Sequence, residues 1–120
     1  MRRHLVIKVT SGAEEPERCA QAFTVAATAA AADFVVSLWL TAEASWFALP
    51  GRAETFTLPH SVPLNDLLAS VLGAGTVTLC SQCAARREIT PQLVIPRVRI
   101  AGGATFVAEV MADGAQALVY

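Results

Sequence analysis

The sequence has 120 residues, so we expect residues 1–120 to form one domain, which at this size buries roughly two thirds of the surface that the unfolded chain exposes. The composition is 54% hydrophobic, but alanine supplies 23 of those residues. The uncharged, alanine-rich run at residues 19–32 is shorter than the ~20 apolar residues that cross a bilayer, so we expect no transmembrane helix. Nine Lys and Arg residues against ten Asp and Glu residues give a net charge of −1, which disfavours nucleic acid as a partner.

The chain begins with a strand pattern rather than a secretion signal. Arg2 and Arg3 resemble the basic start of such a signal, but Lys8 interrupts the apolar run that follows, and the run leads to no small-residue cleavage site. We therefore expect a cytoplasmic protein. Residues 4–10 are rich in β-branched side chains and predict the first strand.

An alanine-rich helix and a second strand are predicted next. Glutamates on both sides of Pro16 are typical of a helix start, where the helix dipole is positive, and the helix pattern continues to Ala32. Because this helix carries apolar residues on nearly every side, we expect it to be covered on both sides, by its own sheet and by something else, such as another subunit. The continuous apolar run at residues 34–40 is typical of a strand buried on both faces of a parallel sheet.

The remaining elements continue the alternation of strand and helix. They are one or two helical turns at 41–49, an irregular stretch around Pro59 and His60, an amphipathic helix at 61–72 capped by Ser61, a strand at 76–79, a helix from Cys80 to about Thr90, a strand at 97–101, a helix at 104–111 and a strand at 117–120. This alternation predicts a single-domain α/β fold, with a mostly parallel five-stranded sheet and helices on both faces.

Two cysteines, Cys80 and Cys83, lie where the third predicted strand runs into a helix. Sites in open α/β sheets form outside the carboxyl ends of the strands, and a thiol beside free helix N–H groups there has a lowered pKa. Arg87 follows two helical turns after Cys80. Its side chain either turns back toward a thiolate or interacts with the carboxyl end of its own helix.

Several kinds of site are open to this cysteine pair. A disulfide framework is disfavoured, because three cysteines are an odd number in a chain long enough to fold without staples. We expect no metal and no cofactor, since structural zinc needs four ligands and the chain adds only Cys19, His4 and His60, none at the usual ligand spacing. Thiol–disulfide exchange and simple packing of two small side chains remain alternatives, and we expect Cys19 to be a core residue.

The segment from Cys80 to Ile89 (CSQCAARREI) resembles the cysteine motif of the DsrE/DsrF-like family, in which a strand-end cysteine precedes a helix that carries arginine seven residues later. Glu88 stands where that family commonly has glycine. The first half of the chain is similar to the family in its first strand, its acidic helix start and its second strand, which is followed by Glu43, and residues 102–104 are similar as well.

The resemblance implies a small α/β protein that forms trimers or hexamers and carries sulfur in a relay. It implies that Cys80 is the sulfur acceptor, which holds a persulfide. Cys83 would resolve this persulfide and Arg87 would help to stabilise the anion. We therefore expect a sulfur carrier, or sulfurtransferase-like protein, with sulfur donor and acceptor proteins as partners. The alternatives are a thiol–disulfide redox protein that uses the same pair and a non-catalytic oligomeric interaction protein.

Assembly is also expected from the apolar side chains. A domain of this size has a limited interior in which to bury apolar surface. It must cover an alanine-rich helix as well as the side chains of Trp39, Trp46 and Phe47, and soluble monomers rarely expose a large apolar patch. Burial between identical subunits removes that cost. Taken with the family resemblance, this predicts a homotrimer or a homohexamer.

Overall fold

The computed structural model describes residues 2–120, in which strands and helices alternate. The strands are β1 (His4–Val9), β2 (Val35–Leu40), β3 (Thr76–Cys80), β4 (Val98–Ala101) and β5 (Ala115–Val119). The α-helices are α1 (Pro16–Ala31), α2 (Leu64–Ala74), α3 (Ser81–Arg86) and α4 (Gly103–Val110). Two 3₁₀ helices, Ala42–Ala48 and Ala53–Thr55, connect β2 to α2. Within the described part of the chain, no helix is long and apolar enough to span a membrane.

The five strands form one sheet in the order β4-β3-β2-β1-β5, and every neighbouring pair is parallel. This confirms the α/β fold and makes the sheet fully parallel. In such a sheet all the carboxyl ends of the strands meet at one edge, so the residues after β1, β2 and β3 come together in space.

The two faces of the sheet have different characters. Leu38 and Val77 belong to the main apolar core, against which α1 and α2 pack. The opposite face carries Trp39, which is buried beneath α4, where the Phe106 ring meets it edge to face at 5.3 Å between ring centroids. Helices therefore cover both faces, as predicted.

Helix α1 differs from its prediction. Cys19, Phe23 and Ala26 are fully buried, but Gln21 and Thr24 on the other side of the helix are exposed. The second side of this helix is therefore not covered within the subunit, and its coverage by another subunit stays a prediction. Its small polar side chains form a solvent-facing side, which is the usual arrangement for an amphipathic surface helix.

Two predicted apolar interface residues are also buried within the subunit. Trp39 is 1% exposed and Phe47 is 5% exposed, and only Trp46 is half-buried. Trp39 lies beneath α4, and Phe47 lies in the core against Phe23 and Phe56. The large apolar side chains that do face solvent are Phe34, Val62, Leu93, Val107, Met111, Leu118 and Val119.

The start of α2 lies later than predicted, at Leu64. Ser61 does not cap the helix, since its hydroxyl donates a hydrogen bond to the carbonyl oxygen of Val62. Pro63 explains the difference, because the residue before a proline is disfavoured in helical conformation, and Val62 therefore cannot easily continue the helix backwards.

The end of α3 lies earlier than predicted, at Arg86. Glu88 adopts a left-handed backbone with φ of 55°, its N–H donates to the carbonyl oxygen of Ala85 at 3.2 Å, and the N–H of Ile89 donates to that of Ala84 at 2.9 Å. These two bonds define a Schellman motif, the helix ending that most often places glycine at the left-handed position. Glu88 therefore keeps the turn that a glycine there would make.

Candidate functional site

Cys80 is the last residue of β3 and the N-cap of α3. It pairs with Ala101 of β4 at the carboxyl edge of the sheet, and its side chain is half-buried. Alternate residues of a strand share a face, so Cys80 lies on the same side as Thr78, the side that α4 covers. The predicted position of this cysteine at a strand-to-helix junction is thus what the structure shows.

The groups around the sulfur of Cys80 shift its pKa. Burial opposes its ionisation, but backbone N–H groups of Cys83 and Gln82, the thiol of Cys83 and the charge of Lys8 together outweigh burial. The pKa of Cys80 is therefore lower than usual. Since the thiolate is the nucleophilic form, this environment favours reaction at Cys80.

Cys83 lies in the first turn of α3 and is buried. Its sulfur accepts a hydrogen bond from the backbone N–H of Ala42 at 3.2 Å. Ala42 follows β2 and has a left-handed backbone with φ of 49°, a conformation that costs about 1–2 kcal/mol for a residue other than glycine. The end of β2 is therefore joined to Cys83 by this hydrogen bond.

The two cysteines have different surroundings. The sulfur of Cys83 accepts a hydrogen bond from the backbone N–H of Ala42, whereas the groups around Cys80 favour its ionisation. Cys80 is therefore the candidate nucleophile of the pair.

Cys19, the third cysteine, is far less reactive by the same reasoning. It is fully buried in α1, as predicted, and burial, together with the charge of Glu14, raises its pKa to about 12. A thiol with so high a pKa carries almost no thiolate at neutral pH.

Arg87 lies beside Cys83 rather than Cys80. Its guanidinium binds the Glu43 carboxylate at 2.8 Å and the carbonyl oxygen of Cys83 at 3.2 Å, and it also lies over the Trp46 ring. The hydrogen bond from Arg87 holds the pKa of Glu43 below its usual range. Among the hydrogen bonds of residues 2–120, none joins Arg87 to Cys80. Cys80 and Cys83 therefore lie near each other in the structure. Arg87 instead links α3 to the 3₁₀ helix after β2, through its ion pair with Glu43.

Two residues of this site were not predicted as such, Lys8 and Ala42. Lys8 has a sequence signal, because it is the one charge inside an otherwise apolar first strand. Ala42 has none, since its contribution comes from a backbone N–H and an unusual backbone conformation.

The two histidines lie away from the cysteine pair. His60 is exposed, with φ of 60°, and lines a groove of about 700 Å³ beside α1 together with Glu17 and Tyr120. His4 begins β1, at the opposite end of the strands from Cys80. In the part of the chain that the structure describes, no three His, Cys, Asp or Glu side chains are grouped so as to hold a metal ion.

Comparisons with known proteins agree with this geometry. Residues 3–120 match the model of the DsrE/DsrF-like family, whereas no curated protein sequence matches the chain. The fold is similar to that of the YchN protein from E. coli, with a TM-score of 0.78 and 17% identity over 100% of both chains. It is also similar to MTH1491, a protein of unknown function from Methanobacterium thermoautotrophicum, with a TM-score of 0.65 and 10% identity over 98% of this chain and 99% of that one.

The two structural likenesses show the fold, and the family match, which covers nearly all of the sequence, shows the family. A sulfur-relay-type role is what this family suggests. The chain belongs to the DsrE/DsrF-like family.

Proposed function

We propose that this protein is a sulfur carrier, or sulfurtransferase-like protein, that holds sulfane sulfur as a persulfide on Cys80. The observation that carries the proposal is the position of Cys80, which ends β3, caps α3 and is half-buried, so that the backbone N–H groups of Cys83 and Gln82 and the Cys83 side chain favour its ionisation. Donors of this kind stabilise a negative charge on sulfur. A half-buried position also leaves the sulfur within reach of a partner protein.

Loading needs only nucleophilic displacement. The Cys80 thiolate attacks the terminal sulfur of a donor persulfide, R–S–SH, the donor S–S bond breaks, and the donor leaves as the thiolate R–S⁻. Cys80 then carries Cys80–S–SH, with no net oxidation. Delivery is the same step in reverse, because an acceptor thiolate attacks the terminal sulfur and Cys80 leaves as a thiolate. The proposed partners are therefore a sulfur donor protein and a sulfur acceptor protein.

Cys83 provides a second outcome for the bound sulfur. After losing its proton, its thiolate attacks the Cys80 sulfur of the persulfide. The bond between the two persulfide sulfurs breaks, a Cys80–Cys83 disulfide forms, and the terminal sulfur leaves as HS⁻, which takes up one proton to give hydrogen sulfide. We assign Cys83 this resolving role because its thiol lies within hydrogen-bonding reach of Cys80. We place Arg87 in a positioning role, because its guanidinium binds Glu43 and the Cys83 carbonyl.

The experiment is mass spectrometry of the intact protein and its peptides after incubation with glutathione persulfide. We expect one added sulfur, about 32 Da, on the peptide that contains Cys80. Cys80→Ser should load no sulfur and keep its fold, since serine is similar in size but forms no thiolate. Cys19→Ser is the matched control and should load normally. Full loading of Cys80→Ser would move the site to Cys83, and no loading of the wild-type protein would overturn the proposal.

Thiol–disulfide exchange is the second candidate, and the proximity of the two thiols favours it. In that case incubation with oxidised glutathione should give an internal disulfide, seen as a loss of two hydrogens, while glutathione persulfide leaves no added sulfur. No change under either condition would indicate a non-catalytic interaction protein.

A further inference from the structure

Lys8 is an unusual residue for its position. It lies in β1, which pairs with β2 on one side and β5 on the other, and its neighbours Ile7 and Val9 are fully buried. Because alternate side chains of a strand face opposite sides, Lys8 faces away from that core, toward α4. Its Nζ lies 4.4 Å from the centroid of the Phe106 ring of α4, and the side chain is half-buried.

The ammonium of Lys8 has no carboxylate partner in the described residues. The ion pairs found there join Arg2 to Asp33, Arg87 to Glu43 and Arg99 to Glu109. The last of these pairs lies on the same face as Lys8, but Glu109 is fully engaged, since it also accepts hydrogen bonds from Ser37 and Trp39. A half-buried charge without a counter-charge is unfavourable, so an anion near Lys8 would stabilise its ammonium group.

Cys80 supplies such an anion on the same face. Lys8, Trp39 and Thr78 lie in one row across three neighbouring strands, and Cys80 is two residues beyond Thr78 on β3. The two-residue step keeps Cys80 on the α4 side, at the end of the strands. The charge of Lys8 also favours ionisation of Cys80 and lowers its pKa.

We propose that Lys8 is the cation that stabilises anionic sulfur on Cys80, first as the thiolate and then as the persulfide. The Phe106 ring fixes the ammonium by a cation–π contact, and no carboxylate neutralises it. This differs from the expectation that Arg87 does so, because the Arg87 charge is taken up by Glu43. The persulfide part of the proposal rests on the proposed function, whereas the thiolate part does not.

The other ionisable groups around the pair are accounted for. Cys83 from α3 favours ionisation of Cys80 through its side chain and its backbone N–H. Arg99 from β4 and Glu109 from α4 lie on the α4 face and bind each other. Lys8 is therefore the cation on this face whose charge remains available to Cys80.

The test is the pH profile of iodoacetamide alkylation, followed on the Cys80 peptide by mass spectrometry. Lys8→Met keeps much of the length of the side chain and removes the charge, so the profile should move to higher pH and the rate at pH 7 should fall roughly threefold. Lys8→Arg should restore most of the rate. The matched control is Arg86→Met, which removes an equal charge from an exposed position on the same helix as Cys83 and should leave the profile in place.

The proposal would be overturned if the pH profile of Cys80 alkylation were the same in Lys8→Met as in the wild type. A shifted profile in Arg87→Met, with none in Lys8→Met, would instead assign the stabilising charge to Arg87. Lys8→Gln gives the same comparison should Lys8→Met fail to fold. Alkylation does not require persulfide loading. The Lys8 result and the sulfur-loading result can therefore fail independently.

Discussion

The backbone N–H of Ala42 donates a hydrogen bond to the sulfur of Cys83 at 3.2 Å. This bond joins the end of β2 to the first turn of α3, two segments separated by about a third of the chain. The Cys83 sulfur is thus a hydrogen-bond acceptor, while the side chain and the backbone N–H of Cys83 favour ionisation of Cys80. These different surroundings support Cys80 as the nucleophile of the proposed site.

Cys83→Ala should make Cys80 less reactive. The change removes the thiol that donates to Cys80, so the pKa of Cys80 should rise and its alkylation rate at pH 7 should fall roughly twofold to fivefold. Hydrogen sulfide release from the persulfide-loaded protein should fall to background. Both are measured on one preparation, by iodoacetamide alkylation and by a sulfide electrode.

Cys83→Ser is the matched control for this prediction. Serine keeps a hydroxyl donor at the same position but forms no thiolate, so alkylation of Cys80 should stay near the wild-type rate while hydrogen sulfide release is lost. Equal alkylation rates in wild type and Cys83→Ala would contradict the assignment of Cys83 as a donor to Cys80.

Cys19 should make the protein less stable at high pH. Its pKa is raised from a usual value of 9 to about 12, so between these values the unfolded chain loses this proton while the folded chain keeps it. The stability that this thiol contributes is fully present below pH 9 and is lost as the pH rises toward 12. The free energy of unfolding should therefore fall by up to about 1.4 kcal/mol per pH unit above the lower pKa, relative to Cys19→Ala.

Urea unfolding of the wild type and Cys19→Ala at several pH values between 8 and about 10.5 measures this difference. The other ionisable groups are common to both proteins, so their contribution cancels in the comparison. Parallel curves for the two proteins would show that Cys19 ionises as easily in the folded state as in the unfolded state.

Much of this fold is predictable from the sequence, because its strands are short apolar runs and its helices begin and end at recognisable residues. The position of Cys80 at a strand end follows from the same patterns. The solvent-facing side of α1 also has a signal, since Gln21, Thr24 and Thr28 recur at helical spacing. Counting the helix as uniformly apolar overlooks that spacing.

Other parts of the site have no signal in a single sequence. The contribution of Ala42 depends on its backbone conformation, and the Arg87–Glu43 ion pair joins residues 44 positions apart. Both arise only when the sheet brings the end of β2 next to α3. Lys8 is visible as a charge within a strand, but only the strand order and register show that it lies on the same face of the sheet as Cys80.

Glu88→Gly should stabilise the fold or leave it unchanged. Glu88 has φ of 55°, which costs a residue with a Cβ about 1–2 kcal/mol, while glycine adopts it freely but loses more conformational entropy on folding. The net gain in the free energy of unfolding should be at most about 1 kcal/mol. Glu88→Val should lose stability, since a β-branched residue tolerates this conformation least. Thermal unfolding of the three proteins tests the order, and a Gly variant less stable than the Val variant would show that the strain is absent.

Oligomerisation stays a prediction, but the structure changes which residues we expect at the interface. Trp39 and Phe47 are buried within the subunit, so they have no exposed surface that a second subunit could cover. Exposed apolar side chains lie instead on α4 and β5, where Val107 and Met111 are one helical turn apart, 56% and 76% exposed. Val119 pairs in register with Lys8, which places it on the same side of the sheet, and it is 65% exposed.

We therefore expect a trimer or a hexamer at micromolar concentration, held together in part through the exposed apolar side chains of Val107, Met111 and Val119. Large apolar side chains are unfavourable in water, and burying them between identical subunits removes that cost. Met111→Glu places a charge among these apolar side chains and should shift the protein toward the monomer, whose mass is 12.6 kDa.

Ser70→Glu is the matched control. It lies on the exposed side of α2, which packs on the other face of the sheet, and it should leave the assembly intact. Light scattering after size exclusion reports both masses. A wild-type mass near 12.6 kDa would rule out the assembly, and an unchanged oligomer in Met111→Glu would place the interface elsewhere.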